Sequence, residues 1–116
     1  MEENLHSKIT EVLMGLGAPN DAKGFGYIVE ILVNAIYNDV RITNRCQLCE
    51  NWGTVFGNTA TQVERNLYYI KEICFETKTE LFEKVFKNLR NLSVYGFLET
   101  IRIYIMENVE EELWRI

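Results

Sequence analysis

Proline is almost absent from this chain of 116 residues, which contains one proline and seven glycines. Both residue types favour turns and irregular segments, so their scarcity leaves little material for long loops and favours helices. No apolar run approaches the roughly 20 residues that a membrane-spanning helix requires. The most apolar stretch, residues 27–37, is interrupted by Glu30 and Asn34. The composition therefore predicts one all-α domain, residues 1–116, without a membrane partner.

Metal-binding and catalytic residues are also scarce. The three cysteines form an odd number, and the polar start "MEENLHSK" lacks an apolar signal core, so we expect a reduced, cytoplasmic protein. Cys46 and Cys49 supply half of a zinc ligand set, and Cys74 and His6 are the remaining candidates. Cysteines with this spacing on an amphipathic helix are more often part of the core. We therefore expect no metal, no cofactor and no enzymatic activity.

Positive charge is in short supply. Twelve lysines and arginines face seventeen acidic residues, which gives a net charge of −5, and the end of the chain, "ENVEEELWR", is acidic. No run of lysines and arginines stands out in the sequence. Proteins that bind nucleic acids usually carry a basic surface. Any interaction with DNA must therefore depend on a local surface rather than on the overall charge.

Apolar residues recur at helical spacing along the whole chain. The pattern predicts six helices in one domain. Gly53 falls inside the third helix and predicts a kink or an early end there. We expect the first helix to end at Gly17, the second to span about residues 23–38 and the third to begin near Asn44. The fourth helix should end near Glu76 and the fifth should begin after Thr79. The sixth should begin after Ser93 and continue into the acidic tail.

The fourth helix has the clearest start signal, in the stretch "GNTATQVERNLYYIKEI". Gly57 can end the preceding helix, and Thr59 with Gln62 forms a capping box, with Thr61 and Glu64 as a second register. One face of this helix is apolar and is expected to pack inward: Val63, Leu67, Ile70 and Cys74. The opposite face carries polar and aromatic residues: Thr61, Gln62, Arg65, Tyr68, Tyr69 and Glu72.

Two interpretations of this helix pair are open. A helix-turn-helix that binds DNA needs a short turn and a second helix with one packed face and one free face. Arg65 could then bind a guanine and Gln62 an adenine in the major groove. Helical hairpins are also common as plain structural units of all-α proteins, so the pattern alone favours a structural hairpin over a DNA-binding motif.

Three segments carry a resemblance to a known family: "LGAPNDAKGFGY", "IYND" and "FGNTATQVER". In order and spacing they resemble the C-terminal DNA-binding (effector) domain of the stage-zero sporulation response regulators of Firmicutes, over about residues 9–76. The resemblance implies a six-helix domain that regulates transcription. Its helix-turn-helix, at about residues 45–75, would bind double-stranded DNA in the major groove.

The same resemblance implies a set of DNA-contacting residues. Gln62 and Arg65 would contact bases, Thr61 and Tyr69 would touch base edges or the backbone, Asn58, Thr59 and Lys71 would anchor phosphates, and Tyr68 completes the set. The family has basic residues where this chain has Gln62, Tyr68 and Tyr69, so binding should be weaker or directed to a different site. The alternative is a domain that has kept the fold without DNA affinity and binds a protein partner through its tyrosine-rich face or acidic tail. A homodimer on DNA is a further expectation.

Overall fold

The computed structural model describes residues 2–43 and 47–108, and these residues form six α-helices and no strand. The prediction of an all-α domain is confirmed for this part of the chain. Cys46 and the acidic residues Glu110–Glu112 lie outside the described residues, as does the predicted start of the third helix near Asn44. The helices are α1 (Glu2–Gly15), α2 (Lys23–Tyr37), α3 (Gln47–Phe56), α4 (Ala60–Thr77), α5 (Glu80–Phe86) and α6 (Val94–Asn108).

Residues 57–59 connect α3 to α4, and local hydrogen bonds define both helix ends. Gly57 adopts φ +72°, and the N–H of Asn58 donates to the carbonyl oxygen of Gly53 at 2.9 Å, as in a Schellman motif. At the start of α4, Thr59 Oγ1 accepts from the N–H of Gln62 and Gln62 Oε1 accepts from the N–H of Thr59. The predicted capping box is confirmed, and it fixes where α4 begins.

Gly53 does not end α3, so the predicted early end is wrong. The helix is continuous from Gln47 to Phe56. A Cβ atom on Gly53 would lie 2.5 Å from the backbone oxygen of Asn58. The absence of a side chain therefore lets the 57–59 turn fold back against α3, which is a reason for glycine that the helical pattern does not reveal.

The α2 helix is central and packs against α1, α4 and α6. Its contact with α4 is close, because a Cβ on Gly24 would lie 2.3 Å from the backbone oxygen of Asn66. Only a residue without a side chain allows the two backbones to approach this far. The α4 helix is thus held against the core along the face that carries Val63 and Ile70, both fully buried.

The α6 helix belongs to the core. Phe97, Leu98, Ile101 and Ile105 are fully buried, and the helix packs against α2, α4 and α5. The ring of Phe97 stacks on that of Phe86 with 5.4 Å between centroids. None of the helices in residues 2–43 and 47–108 combines the length and the apolar character needed to cross a bilayer.

A buried ion pair on α6 holds the segment that precedes α3. Arg102 Nε and Nη2 each lie 2.7 Å from an oxygen of the Glu99 carboxylate, and the N–H of Ile42 donates to the same carboxylate at 2.8 Å. Burial alone would raise the pKa of Glu99, but the hydrogen bonds from Arg102 and Ile42 and the charges of Arg102 and Arg41 lower it below its ordinary value. The carboxylate therefore stays charged and anchors the loop.

Candidate nucleic-acid interface

The solvent face of α4 carries the residues that the sequence predicts as base contacts. Thr61, Gln62, Arg65, Tyr68 and Tyr69 are all exposed. Arg65 lies opposite the buried stripe, and no ion pair within the described residues involves it. Tyr68 is 52% and Tyr69 54% exposed, which is high for tyrosine. Except for Gln62, which is engaged in the cap of α4, these side chains are therefore free to meet a partner.

The predicted contacts at the start of α4 are already used within the protein. Thr59 and Gln62 bind each other's backbone in the capping box. The side-chain amide of Asn58 donates to the hydroxyl of Tyr27 on α2. Tyr27 in turn stacks on Phe56, with centroids 4.1 Å apart. These residues hold the turn in place, so any DNA contact they make would have to share these bonds.

Lys71, which is predicted to anchor a phosphate, has partners within the protein. Its ammonium donates to the backbone oxygen of Leu92 at 2.8 Å and lies 3.4 Å from a carboxylate oxygen of Glu72. It also lies 4.7 Å from the centroid of the Tyr68 ring. The side chain is only 11% exposed. Lys71 thus fastens α4 to the segment before α6, and its charge is largely satisfied inside the protein.

A hydrogen-bonded chain joins three helices behind the α4 face. The hydroxyl of Tyr95 on α6 donates to Glu64 at 2.9 Å and lies 3.5 Å from Cys49 Sγ on α3. Burial first, and then the hydrogen bonds with Cys49 and Glu64, raise the pKa of Tyr95 above its ordinary value. The hydroxyl therefore remains a proton donor at neutral pH. It fixes Glu64, for which the sequence predicts only a role in helix capping.

A groove runs between α4 and the start of α6. Its volume is about 410 Å³, and Arg65, Tyr68, Lys71 and Tyr95 contribute to its walls. Residues of α4 line one side of the groove, and Ser93, Val94 and Tyr95 line the other. Arg65 lines this groove and is also exposed on the solvent face of α4, so it can contact a ligand bound in the groove or one bound to that face.

The lysines and arginines without an ion-pair partner are concentrated in a region for which the sequence pattern predicts no site. Lys8, Arg41, Lys71 and Arg102 each lie within 4 Å of a carboxylate oxygen. Six lysines and arginines in the described ranges form no such pair: Lys23, Arg65, Lys78, Lys84, Lys87 and Arg90. Four of these six fall within residues 78–90. In the sequence these cations are hard to recognise as a group, because Glu80 and Glu83 lie among them. The pattern that indicates them is a lysine or arginine at every third position from 84 to 90.

The thiols offer no metal centre among the described residues. Cys49 and Cys74 are free and buried. Burial raises the pKa of Cys74 to about 12, and burial is also the main cause that raises the pKa of Cys49. No group of three or more histidines, cysteines or acidic residues in residues 2–43 and 47–108 is arranged to hold a metal ion.

Comparison with known proteins adds no relative. No protein-family model, no curated protein and no solved structure matches this chain. The function is therefore inferred from the geometry of α3, α4 and their surroundings.

Proposed function

We propose that this domain binds double-stranded DNA, with residues 45–75 acting as a helix-turn-helix and α4 entering the major groove. The observation that carries the proposal is Arg65. It is exposed, it lies opposite the buried face of α4, and it is unpaired among the described residues. An arginine in this position can donate two hydrogen bonds to the O6 and N7 atoms of a guanine.

The shape of the helix pair supports the proposal. The connection of three residues between α3 and α4 has the length that helix-turn-helix motifs use. Contacts with α2 and the Tyr95–Glu64 hydrogen bond hold α4 rigidly, so its free face is presented without a large ordering cost. The resemblance of "FGNTATQVER" to the sporulation regulators favours the same function, a regulator of transcription.

The base contacts are expected to be unequal. Gln62 accepts the N–H of Thr59, so turning its amide towards an adenine would break half of the capping box. Loss of a helix cap costs about 1 kcal/mol, which would be subtracted from the gain in binding. Arg65 carries no such cost. Arg65 therefore dominates specificity, and Gln62 adds a smaller contribution.

The test is a selection of duplexes from a random library, followed by fluorescence anisotropy with the selected and unselected sequences. A bidentate arginine–guanine contact is worth about 1–3 kcal/mol, so Arg65→Ala should weaken specific binding roughly 5- to 150-fold. Lys23→Ala removes the same charge at the start of α2 and serves as the control. Equal losses in the two variants would show that Arg65 acts only through net charge and would contradict base recognition.

Tyr68→Arg provides a gain-of-function test. The exposed ring borders the groove beside Arg65, and an arginine there should reach a backbone phosphate. Affinity should rise, and the slope of log K against log salt should steepen by about one unit. A variant that is folded but binds no better than the original chain would contradict the placement of this edge of α4 against DNA.

A protein-interaction module is the second candidate, and the pair of exposed tyrosines favours it. Tyr68 and Tyr69 are apolar enough to form the centre of a protein interface, where tyrosine is enriched. This candidate predicts no measurable binding to any duplex at about 50 mM salt. In that case Tyr69→Ala should abolish capture of the partner, whereas Arg65→Ala should leave every DNA assay unchanged.

A further inference from the structure

A second pocket, distinct from the groove beside Arg65, lies at the C-terminal end of α4. It has a volume of about 290 Å³ and is formed where α4, α5 and residues 87–91 meet. Its polar walls carry three cations, two amides and one acid: Lys78, Lys87, Arg90, Asn88, Asn91 and Glu83. Its apolar lining residues are Phe75, Phe82 and Leu89. We call it the basic pocket.

The cations of the basic pocket are not neutralised by the rest of the protein. None of the ion pairs between residues in the described ranges involves Lys78, Lys87 or Arg90. Three positive charges around one concavity repel each other, and the single acidic lining residue, Glu83, offsets only part of this charge. Such an arrangement is unexpected in a chain whose net charge is −5. A bound anion would relieve the repulsion.

Three non-glycine residues around the basic pocket adopt positive φ values, two of them at the C-terminal caps of α4 and α5. Lys78, Lys87 and Asn91 have φ values of 48°, 52° and 57°. They are three of the four non-glycine residues with positive φ in the described chain. Lys87 is the least expected, because its ψ of −118° belongs to a region that glycine favours. Strained residues cluster at ligand sites, and lysine at position 87 places an ammonium on the wall where glycine would relax the chain.

We propose that the basic pocket binds a phosphate group. Lysine, arginine and asparagine side chains around a concavity are the donors that phosphate oxygens accept from. Two sources share this chemistry: the DNA backbone and a free phosphorylated small molecule. The first source rests on the proposed function. Phe75 follows Arg65 by ten residues, about 15 Å along the helix axis, and the major groove is about 12 Å wide. Ten residues also turn a helix by about 280°, so Phe75 lies on the face next to that of Arg65, and the DNA source requires a strand that leaves the groove on that side.

The first experiment measures duplex binding against salt concentration for the double variant Lys87→Gly, Arg90→Gln. Glycine suits the backbone at position 87, so this variant should fold as well as the original chain. Loss of one phosphate contact should lower the salt slope by about 0.9 and weaken binding roughly eightfold at 0.1 M salt. The double variant Lys23→Gln, Lys84→Gln changes the net charge equally outside the pocket and should show a smaller effect on the slope.

The second experiment adds inorganic pyrophosphate to the isotope-labelled protein and follows the backbone amide signals by NMR. Residues 87–91 should shift in the original chain and not in the Lys87→Gly, Arg90→Gln variant. The two experiments separate the outcomes. If duplex binding is present and both double variants behave alike, DNA binding stands and the DNA backbone is refuted as the source of the phosphate; if pyrophosphate then also leaves these amides unshifted, the phosphate site itself is refuted. If duplex binding is absent while pyrophosphate still shifts these amides, DNA binding is refuted and a small molecule is the source. If neither ligand binds, both proposals fail.

Discussion

Removal of the Glu99 carboxylate should strongly destabilise the domain. The side chains of Glu99 and Arg102 are 13% and 8% exposed, and Glu99→Ala would leave the guanidinium buried without its partner. The N–H of Ile42 would lose its acceptor as well. Breaking a buried ion pair in this way costs about 3–5 kcal/mol. Since a domain of this kind has a total stability of about 5–15 kcal/mol, the loss is a large share of it.

The assay is urea unfolding followed by far-UV circular dichroism. Glu76→Ala on the exposed side of α4 is the control, and its effect should stay within about 0.5 kcal/mol. The double variant Glu99→Ala, Arg102→Met should recover most of the lost stability, because it removes the uncompensated charge and keeps an apolar side chain of similar length. A single Glu99→Ala variant within about 1 kcal/mol of the original chain would refute the assigned role of this ion pair.

The same ion pair predicts a dependence on pH. The pKa of Glu99 is lower in the folded chain than its ordinary value of 4.5, so the unfolded chain binds more protons between the two values. Its contribution is therefore fully present above pH 4.5 and is lost as the pH falls through the folded-state pKa. Unfolding free energies measured across this range should fall less steeply for the Glu99→Ala, Arg102→Met variant. Identical slopes would contradict the assignment.

Three further predictions concern the core. Elemental analysis of protein purified without chelator should find no stoichiometric metal, and one zinc per chain would contradict this. Cys49 and Cys74 should react with a thiol reagent only when the protein unfolds. Truncation after Asn91 should give an insoluble or partly unfolded protein because it removes α6, and an unchanged cooperative melt would refute this. Gly24→Ala should destabilise the domain by about 1–3 kcal/mol, because the new Cβ would meet a backbone carbonyl of α4. Gly26→Ala has open space around its Cβ and should stabilise the helix by about 0.5–1 kcal/mol. Equal effects of the two substitutions would contradict the close approach of α2 and α4.

Local signals in the sequence predicted local structure well. The capping box of Thr59 and Gln62, the left-handed stop at Gly57 and the buried stripe of α4 all depend on residues within one or two helical turns. The same holds for the apolar stripe of α6. Such features are set by backbone geometry and helical periodicity, so they can be derived before any tertiary contact is known.

Features that depend on tertiary contacts could not be derived in this way. Nothing in the periodicity indicates that Lys71 turns towards the oxygen of Leu92, or that Gly53 lies beneath the 57–59 turn. The basic pocket was missed for the same reason, since Lys78 and Arg90 are twelve positions apart in the sequence and the fold brings them together. Net charge summed along a segment cannot reveal which cations are left unpaired.

In α4, the residues that hold the helix in place are different from those on its exposed face, and this has a consequence for protein engineering. Its register is set by the buried stripe and by the cap, while Thr61, Arg65 and Tyr69 contribute to neither. These three positions can be randomised together in a selection library without disturbing the scaffold, whereas Gln62 and Glu64 should be kept because each already serves an internal bond. New binding preferences could thus be selected on an otherwise unchanged domain.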